Sequence, residues 1–335
     1  MKIGIFTTFQ EDKVPQQAIQ ACNELGVQYQ LVDITSSDWL QNVLEASDCD
    51  GFFCPSNCIS QELKTIQDER YYFVSHFLKR PVYPDFTGLY IHESKRNMAT
   101  FLEYFNVPHA STKVFTSRQE AIDYLSQCSY PIVIKANVGA GASKVRIIKT
   151  QSDAIRIAKR CLPTIRLKSL KMGYFYKMVK NGIHYPDLHN PQKDYLIIQQ
   201  YIPNVRHEWR IIKIGDSYFG HQKLLKGNFA SGSGLVGWVK PPFELLDLAR
   251  ELCDKGKFVC MDVDIFETKD GQYFVNELQA SFGSFADYQM QVDGKHGRYV
   301  FKNNQYTFEE GDFNVLGSNK LKIEHFVGLL KEHSK

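Results

Sequence analysis

The chain has 335 residues, enough for two or three packed units, and its 43% hydrophobic and 23% charged residues are typical of a globular protein. The net charge of +3 is too small to imply a nucleic-acid partner, and no nucleic-acid-binding motif is present. No apolar run approaches the length of a membrane span, and Met1–Phe6 has a strand pattern rather than that of a secretory signal. We therefore expect a cytoplasmic protein with reduced cysteines.

The first unit, residues 1–92, alternates short apolar strands with helical stretches. This alternation predicts right-handed crossovers and a small parallel sheet. The turn after the first strand lacks the Gly-x-Gly-x-x-Gly pattern of dinucleotide-binding domains, so a substrate-side or scaffold role is expected. The predicted strands are Lys2–Thr8, Tyr29–Ile34 and Gly51–Pro55, and the predicted helices are Pro15–Leu25, Trp39–Ala46 and Glu62–Leu78.

A small-residue loop marks the second unit, residues 93–198. The unit opens with a helix that Ser94 is expected to cap and that runs through Phe105. Later, a buried-type strand ending at Lys135 leads into a loop, residues 136–144, and then into the strand Val145–Lys149. Such a loop can present backbone N–H groups to phosphate oxygens, although flexible hairpin turns of this composition are also common. It lacks the Gly-Lys-Ser/Thr of a P-loop.

Residues 155–193 form a strongly basic stretch. They contain nine Lys or Arg residues against a single acid, Asp187, with several aromatic residues among them. The stretch is either a solvated excursion or a lid over an anionic ligand, and the sequence does not decide between them.

The third unit, residues 199–335, returns to strand patterns. A strand over Tyr195–Ile202 crosses into it, and Gly215-Asp216 joins the strands Glu208–Ile214 and Ser217–Lys223. The remaining predicted elements are a helix over Glu244–Lys257, hairpins turned at Asp293-Gly294 and Asn303-Asn304, and a helix over Lys320–Lys331.

An acidic hairpin is the most informative feature of this unit. Two strand patterns flank Asp270-Gly271, a dipeptide typical of two-residue hairpin turns. Counting back from such a turn places Asp264 opposite Glu277, and Asp262 opposite Gln279. Opposed side chains lie about 4.5–5.5 Å apart at Cβ, where like charges repel. Oxygen ligands in this arrangement suit Mg²⁺ or Mn²⁺, and a solvated acidic face is the alternative.

These features, in this order, resemble the ATP-grasp superfamily. They are a lysine at a helix start, a lysine ending a strand before a small-residue loop, a strand ending in Gln-Gln-Tyr-Ile, and the acidic hairpin. The chain is most similar to the ribosomal-protein glutamate ligases and related carboxylate–amine ligases, over roughly residues 95–283. The resemblance implies an α/β and α+β architecture. In it, a Rossmann-like N-terminal domain with a parallel sheet precedes two α+β lobes that clasp ATP.

The resemblance also implies roles for individual residues. Lys135 would contact the α- and β-phosphates, and Lys95 would add a second cation. Glu208 would read the ribose, Arg210 would face the transferred phosphoryl group, and Lys223 would add charge beside it. The adenine edge would pair with Gln199, Gln200, Tyr201 and Ile202, the phosphate loop would use Gly139, Gly141 and Ser143, and the metal ligands would be Asp264, Glu277 and Gln279.

Three residues depart from the family pattern. Gln200 stands where relatives often have Glu, which need not matter if the main chain makes the contacts. Gln279 stands where an Asn is usual, and Phe282 precedes Gly283 where a proline is familiar. The last two departures leave open whether one or two metal ions bind.

The activity implied is that of an ADP-forming ligase using ATP and Mg²⁺ (or Mn²⁺). The γ-phosphoryl group of ATP would pass to a carboxylate, and an amine would attack the resulting acyl phosphate. A kinase acting on a hydroxyl and a non-catalytic nucleotide-binding protein are the alternatives. We expect a small-molecule carboxylate, such as a sugar acid, or a cell-surface glycan precursor, together with an amine. The sequence leaves open whether the chain forms a homodimer.

Overall fold

Three β-sheets with their flanking helices build the chain. The computed structural model describes residues 1–8, 15–56, 60–139, 144–162, 194–227, 230, 234–283 and 286–333. The predicted mixture of α/β and α+β architecture is confirmed, because the first sheet is parallel and the other two are antiparallel.

The first sheet contains four parallel strands in the order β2-β1-β3-β4. Its elements agree with the predicted alternation, except that β4 and α4 were not predicted and the third helix continues as a π-helical turn, Phe73–Phe77. The elements are β1 (Lys2–Phe6), α1 (Gln16–Leu25), β2 (Gln28–Val32), α2 (Trp39–Glu45), β3 (Gly51–Phe53), α3 (Gln61–Tyr72), β4 (Val82–Tyr83) and α4 (Phe86–Ile91).

The second sheet has the strand order β5-β8-β6-β7. Its strands are β5 (Thr112–Phe115), β6 (Ile132–Lys135), β7 (Val145–Ile148) and β8 (Leu196–Gln200), and the helices beside them are α5 (Lys95–Phe105), α6 (Arg118–Gln127) and α7 (Gln151–Cys161). Helix α7 corrects the predicted start of the basic stretch, because residues 155–161 are the end of this helix. The rest of that stretch, residues 163–193, lies outside the described residues.

The start of α5 corrects a second expectation. Ser94 occupies the N-cap position, but its side chain makes no capping hydrogen bond. Instead, the backbone N–H of Arg96 donates to Oδ1 of Asn137 at 2.8 Å. The loop after β6 therefore fixes the helix that carries Lys95.

The third sheet has eight strands, of which six follow the order β13-β12-β9-β10-β15-β14. Strand β11 pairs with β10, and β16 pairs with β15. Helix α8 (Phe243–Gly256) packs on this sheet. The strands are β9 (Val205–Ile214), β10 (Ser217–Lys223), β11 (Val236–Gly237), β12 (Cys260–Thr268), β13 (Tyr273–Gln279), β14 (Gln291–Val292), β15 (Lys295–Lys302) and β16 (Gln305–Glu310).

Helix α9 (Asn319–His333) joins the two ends of the chain. It packs against α1, and Tyr83 Oη of the first sheet lies 3.1 Å from Nδ1 of His325. The ring centroids of Tyr83 and Phe326 are 5.3 Å apart. Although α9 lies within the third predicted unit, it packs on α1 of the first unit as well as on β9 of the third. Among the described residues, no helix is long and apolar enough to span a membrane.

Candidate active site

One face of the third sheet carries all of the predicted catalytic and metal-binding residues. Side chains two residues apart on a strand share a face, and residues directly opposed on paired strands share it too. Asp264 is opposed to Arg210 on β9 and to Glu277 on β13. The same register puts eight polar side chains on this face: Glu208, Arg210, His221, Lys223, Asp262, Asp264, Glu277 and Gln279.

The predicted opposition of Asp264 and Glu277 is present, but the predicted turn is wrong. The backbone N–H of Thr268 bonds to the carbonyl of Gln272, so the loop has three residues, 269–271, rather than two. The register then shifts by one residue between Asp264 and Ile265. The extra residue in the loop and the shift cancel, and the shift leaves Asn276 as a bulge beside Glu277.

Two cations neutralise the acids at the centre of this face. Arg210 lies 2.9 Å from Oδ2 of Asp262 and 3.2 Å from Oδ1 of Asp264. Lys223 Nζ lies 2.6 Å from Oδ2 of Asp264 and 3.0 Å from Oε2 of Glu208. Arg210 and Lys223 therefore both contact the predicted metal ligand Asp264, and Lys223 also contacts the predicted ribose-reading residue Glu208.

The two aspartates have opposite pKa shifts, although both are buried. Asp262 is fully buried, and desolvation raises its pKa well above the usual value despite the nearby guanidinium of Arg210. Asp264 is equally buried, but Arg210 and Lys223 outweigh desolvation and lower its pKa to about 2. The two cations therefore favour the ionised form of Asp264.

The bulged residue Asn276 links the second and third sheets. Its Oδ1 accepts a hydrogen bond from Lys135 Nζ at 3.0 Å, and its Nδ2 donates to Oε1 of Glu208 at 2.7 Å. Desolvation lowers the pKa of Lys135 to about 8. The strand-ending lysine therefore lies over the acidic hairpin.

Lys95, the first residue of α5, is the fourth cation of the site. Its Nζ donates to the carbonyl of Gly139 at 3.0 Å and lies 3.4 Å from Oε1 of Glu277. The formal charges of the whole group cancel, because it contains four carboxylates and four cations. The carboxylates are Glu208, Asp262, Asp264 and Glu277, and the cations are Lys95, Lys135, Arg210 and Lys223.

A cavity of about 320 Å³ lies between the second and third sheets and is called the small cavity below. Apolar side chains from both sheets form its walls, and Lys95, Lys135, Glu208 and Glu277 lie at its polar side. The apolar residues are Val133, Val145, Ile147, Ile202, Val205, Leu225 and Phe266. An apolar cavity with cations at one side suits a base joined to phosphates.

The predicted adenine-reading segment lines the small cavity at Gln199, Gln200, Tyr201 and Ile202. The side chain of Gln199 is already engaged, because its Nε2 donates to the hydroxyl of Thr112 at 2.9 Å. Within the described chain, the backbone groups of Tyr201 and Ile202 form no hydrogen bond, so they can contact a ligand. In the phosphate loop, Gly139 lines the cavity, whereas Gly141 and Ser143 lie outside the described residues.

A second cavity, of about 600 Å³, lies between the first sheet, the third sheet and α9 and is called the large cavity. Arg210 and Gln279 line it from the third sheet. The other walls come from the first turn of α1, the residues after β3, and the turn before α5, including His92 and Glu93. Lys322 of α9 also lines this cavity.

The two cavities share strand β13 and the start of α5. Glu277 lines the small cavity, and Gln279, two residues later on the same face, lines the large one. Likewise, Glu93 lines the large cavity and Lys95 the small one. Two residues of a strand span about 7 Å, so ligands in the two cavities would meet beside Arg210 and the acidic hairpin.

The oxygen donors here fit a hard divalent cation. Asp264 and Glu277 are directly opposed, and Oδ1 of the neighbouring Asp262 has no hydrogen-bond partner in the described chain. No cluster of three or more His, Cys, Asp or Glu arranged for a metal occurs among the described residues. The predicted metal ligands are two carboxylates and one amide, Gln279, so they would not form a cluster of this kind. The metal site stays a prediction.

The sequence-based site lacked three polar groups that the structure brings to it. Asp262 could have been assigned from its spacing, because it lies two residues before Asp264 and so shares its face. Asn276 gave no such signal, because its position depends on the bulge. Lys322 reaches the site from a helix far along the chain, and no local pattern distinguishes it from a surface lysine of an amphipathic helix.

Comparison with known proteins identifies related sequences. The family model for the ATP-grasp (A) domain of phosphoribosylglycinamide synthetase matches residues 93–168. Phosphoribosylamine–glycine ligase of Clostridium acetobutylicum is 26% identical over 166 residues, which cover 47% of this chain and 34% of the relative. The α-aminoadipate–LysW ligase LysX of Saccharolobus solfataricus is 26% identical over 204 residues, which cover 59% of this chain and 65% of the relative. The chain thus spans about a third and just under two thirds of these relatives.

Solved structures share the fold over nearly the whole chain. D-cycloserine synthetase DcsG superposes with a TM-score of 0.62 at 14% identity, covering 99% of both chains. D-alanine–D-alanine ligase from Bacillus anthracis, solved with ATP, superposes with a TM-score of 0.58 at 16% identity, also covering 99% of both chains. The shared fold and the matched domain support the resemblance found in the sequence, and the chain has an ATP-grasp fold.

Proposed function

We propose that this protein is an ATP-dependent, ADP-forming ligase that joins a carboxylate to an amine. A carboxylate oxygen attacks the γ-phosphorus of ATP, the bond to the β-phosphate oxygen breaks, and ADP leaves. The amine nitrogen then attacks the acyl carbon, phosphate departs, and the nitrogen loses a proton. A free carboxylate would have to expel oxide, and phosphorylation removes that barrier.

The meeting of the two cavities carries the proposal. Phosphoryl transfer between separate ligands needs a donor and an acceptor held in contact, with charge stabilisation at the contact. The small cavity suits a nucleotide, the large cavity has room for an acceptor, and Arg210 lies between them on the shared sheet face. A protein that only sensed a nucleotide would not need the second cavity.

The cations divide into two groups. Lys95 and Lys135 line the small cavity and are placed to hold the phosphates of the donor. Arg210 lines the large cavity and is placed to neutralise the transferred group and the acceptor carboxylate. Lys223 contacts both Glu208 and Asp264 and therefore holds these two acids in position.

Mg²⁺ or Mn²⁺ would be held by Asp264, Glu277 and Gln279, and when bound it would neutralise charge on the transferring phosphoryl oxygens. The cancelling formal charges of the site favour this arrangement. A polyphosphate entering alone would find no excess positive charge among the eight groups, whereas its complex with a divalent ion brings its own countercharge.

The names of the relatives bear on the type of reaction rather than on the substrates. Both curated relatives are named as ligases, which supports ligation over the alternative of a kinase acting on a hydroxyl. The earlier expectation of a sugar acid or glycan precursor depends on the basic stretch and the added hairpins β14–β16, and it stays a prediction. A cytoplasmic location and a homodimer also stay predictions.

The acyl phosphate provides the test. The purified protein is incubated with ATP, Mg²⁺, hydroxylamine and a panel of carboxylates, and hydroxamate and nucleotide products are measured. We expect hydroxamate and ADP in equal amounts with the correct acid. Formation of AMP and pyrophosphate would show adenylation and refute the mechanism, and stable phosphate transfer to a hydroxyl would favour the kinase.

A further inference from the structure

Lys322 is a buried cation without a carboxylate partner in the described chain. Its side chain is in helix α9, the residue is 4% exposed, and it lines the large cavity. Its Nζ donates to the carbonyl of Phe282 at 3.0 Å and lies 3.8 Å from the centre of the Phe282 ring. No acid of the described chain lies within ion-pair distance.

A buried ammonium group in this state is costly. It has three N–H donors, of which the Phe282 carbonyl accepts one. Buried charges in folded proteins are usually paired, because desolvation is otherwise uncompensated. Asp262 is near enough to influence Lys322 electrostatically, but Asp262 is already paired with Arg210. A ligand in the large cavity can supply the missing negative charge.

The same cavity contains the N-terminus of α1. Residues Gln16, Gln17 and Ala18 line the cavity, no side chain of the described residues caps this ten-residue helix, and its first turn contains no acid. The unbonded N–H groups and the helix dipole at this end both favour an anion.

A third group, His92, indicates that the cavity wall is electropositive and polar. His92 is 4% exposed, lines the cavity, and its Nδ1 has no hydrogen-bond partner in the described chain. Burial, with the charges of Lys64, Lys95 and Lys322, lowers its pKa to about 3 and keeps the ring neutral. Among the described lining residues one carboxylate occurs, Glu93, and it is two residues from Lys95, where the cavities meet.

We infer that the carboxylate substrate carries a second anionic group, which Lys322 binds in the large cavity while the first is phosphorylated beside Arg210. This inference rests on the proposed ligase function. It predicts a substrate class of dicarboxylates or phosphorylated monocarboxylates. In either case the group bound by Lys322 is distinct from the reacting carboxylate.

Binding without nucleotide tests the inference separately from catalysis. Calorimetry compares two pairs of probes, valerate with glutarate and serine with O-phosphoserine, on the wild type, Lys322→Met and Lys320→Met. Lys320 is the matched control, because it lies on the same helix and its pair with Glu24 is on the surface. Methionine keeps the length of the buried chain and removes the charge.

We expect the wild type to bind at least one dianion more tightly than its partner probe. Lys322→Met should weaken that binding by about 10- to 100-fold, the size of a lost hydrogen bond to a charged group, and Lys320→Met should not. No preference for either dianion, or a preference that Lys322→Met retains, would overturn the inference. The glutarate and O-phosphoserine arms distinguish a carboxylate from a phosphate.

Thermal unfolding of the ligand-free variants excludes a structural explanation. Removing an uncompensated buried charge should leave the Tm of Lys322→Met at or above that of the wild type. A fall in Tm larger than that of Lys320→Met would show that Lys322 stabilises the fold, and would also overturn the inference.

ADP release is measured in parallel. Lys322-dependent dianion binding without ADP release would refute the proposed function and leave the anion site standing. ADP release with monocarboxylates alone would refute the inference about Lys322 and leave the proposed function standing.

Discussion

Replacing Glu277 by alanine should separate catalysis from stability. Glu277 is directly opposed to Asp264, and within the described residues its one ion pair, to Lys95, is long, with an N–O distance of 3.4 Å between largely buried side chains. The long contact makes this pair weak, at the upper end of the about 0–1 kcal/mol typical of surface pairs, and removing one of two opposed acids relieves repulsion. The free energy of unfolding should therefore change by less than about 1 kcal/mol.

The variant Asp264→Ala should differ from Glu277→Ala in stability. Asp264 is 1% exposed and bonds to Arg210 and Lys223, so its removal leaves two cations with less compensation. Breaking a buried ion pair from one side costs about 3–5 kcal/mol. Both variants should lose turnover, by about 100- to 1,000-fold for the loss of one charge-stabilising group. Only Asp264→Ala should also lose stability.

Urea unfolding and ADP release measure the two quantities on the same preparations. Glu309→Ala serves as control, because its ion pair with Arg298 is on the far β15–β16 hairpin. The reasoning is refuted if Glu277→Ala keeps wild-type ADP formation, or if it destabilises the protein as much as Asp264→Ala does.

Two further predictions concern the small cavity. Lys135→Met should weaken ATP binding by about 10- to 100-fold, because it removes a charge-assisted contact to phosphate, whereas Lys113→Met on strand β5 of the same sheet should not. Equal affinities for ATP in equilibrium binding would contradict the assignment. Chelation of divalent ions should abolish ADP release without lowering the Tm of the ligand-free protein, since Arg210, Lys223 and Lys95 already compensate the acids. A lowered Tm would indicate a structural metal.

The acidic hairpin shows how far local sequence patterns reach. The opposition of Asp264 and Glu277 was predicted from a two-residue turn, whereas the chain forms a three-residue loop and a compensating bulge. Strand patterns with period two were enough to place the acids on one face. The bulge depends on contacts with Lys135 and Glu208, which lie on other strands, and so it could not be read from residues 261–279 alone.

Contacts between distant strands account for most of what was missing. The sequence assigned Arg210 and Lys223 to catalysis by resemblance, but their pairing with Asp264 needs the order β12-β9-β10. This order places β12 beside a strand that precedes it by some 50 residues. The large cavity is less local still, since its walls combine Gln16 with Lys322. No pattern within a single element contains that information.

The docking of α9 has a consequence for folding. Tyr83 and His325 are 242 residues apart in the chain, and a Cβ added at Gly51 of β3 would lie 2.7 Å from the Phe326 ring. The apolar surface of the first sheet is therefore covered only after residue 326 has been synthesised. Contacts of such sequence separation slow folding, because the loop entropy is lost before they form. A fragment of residues 1–92, although it contains a whole parallel sheet, should expose this surface and aggregate when expressed alone.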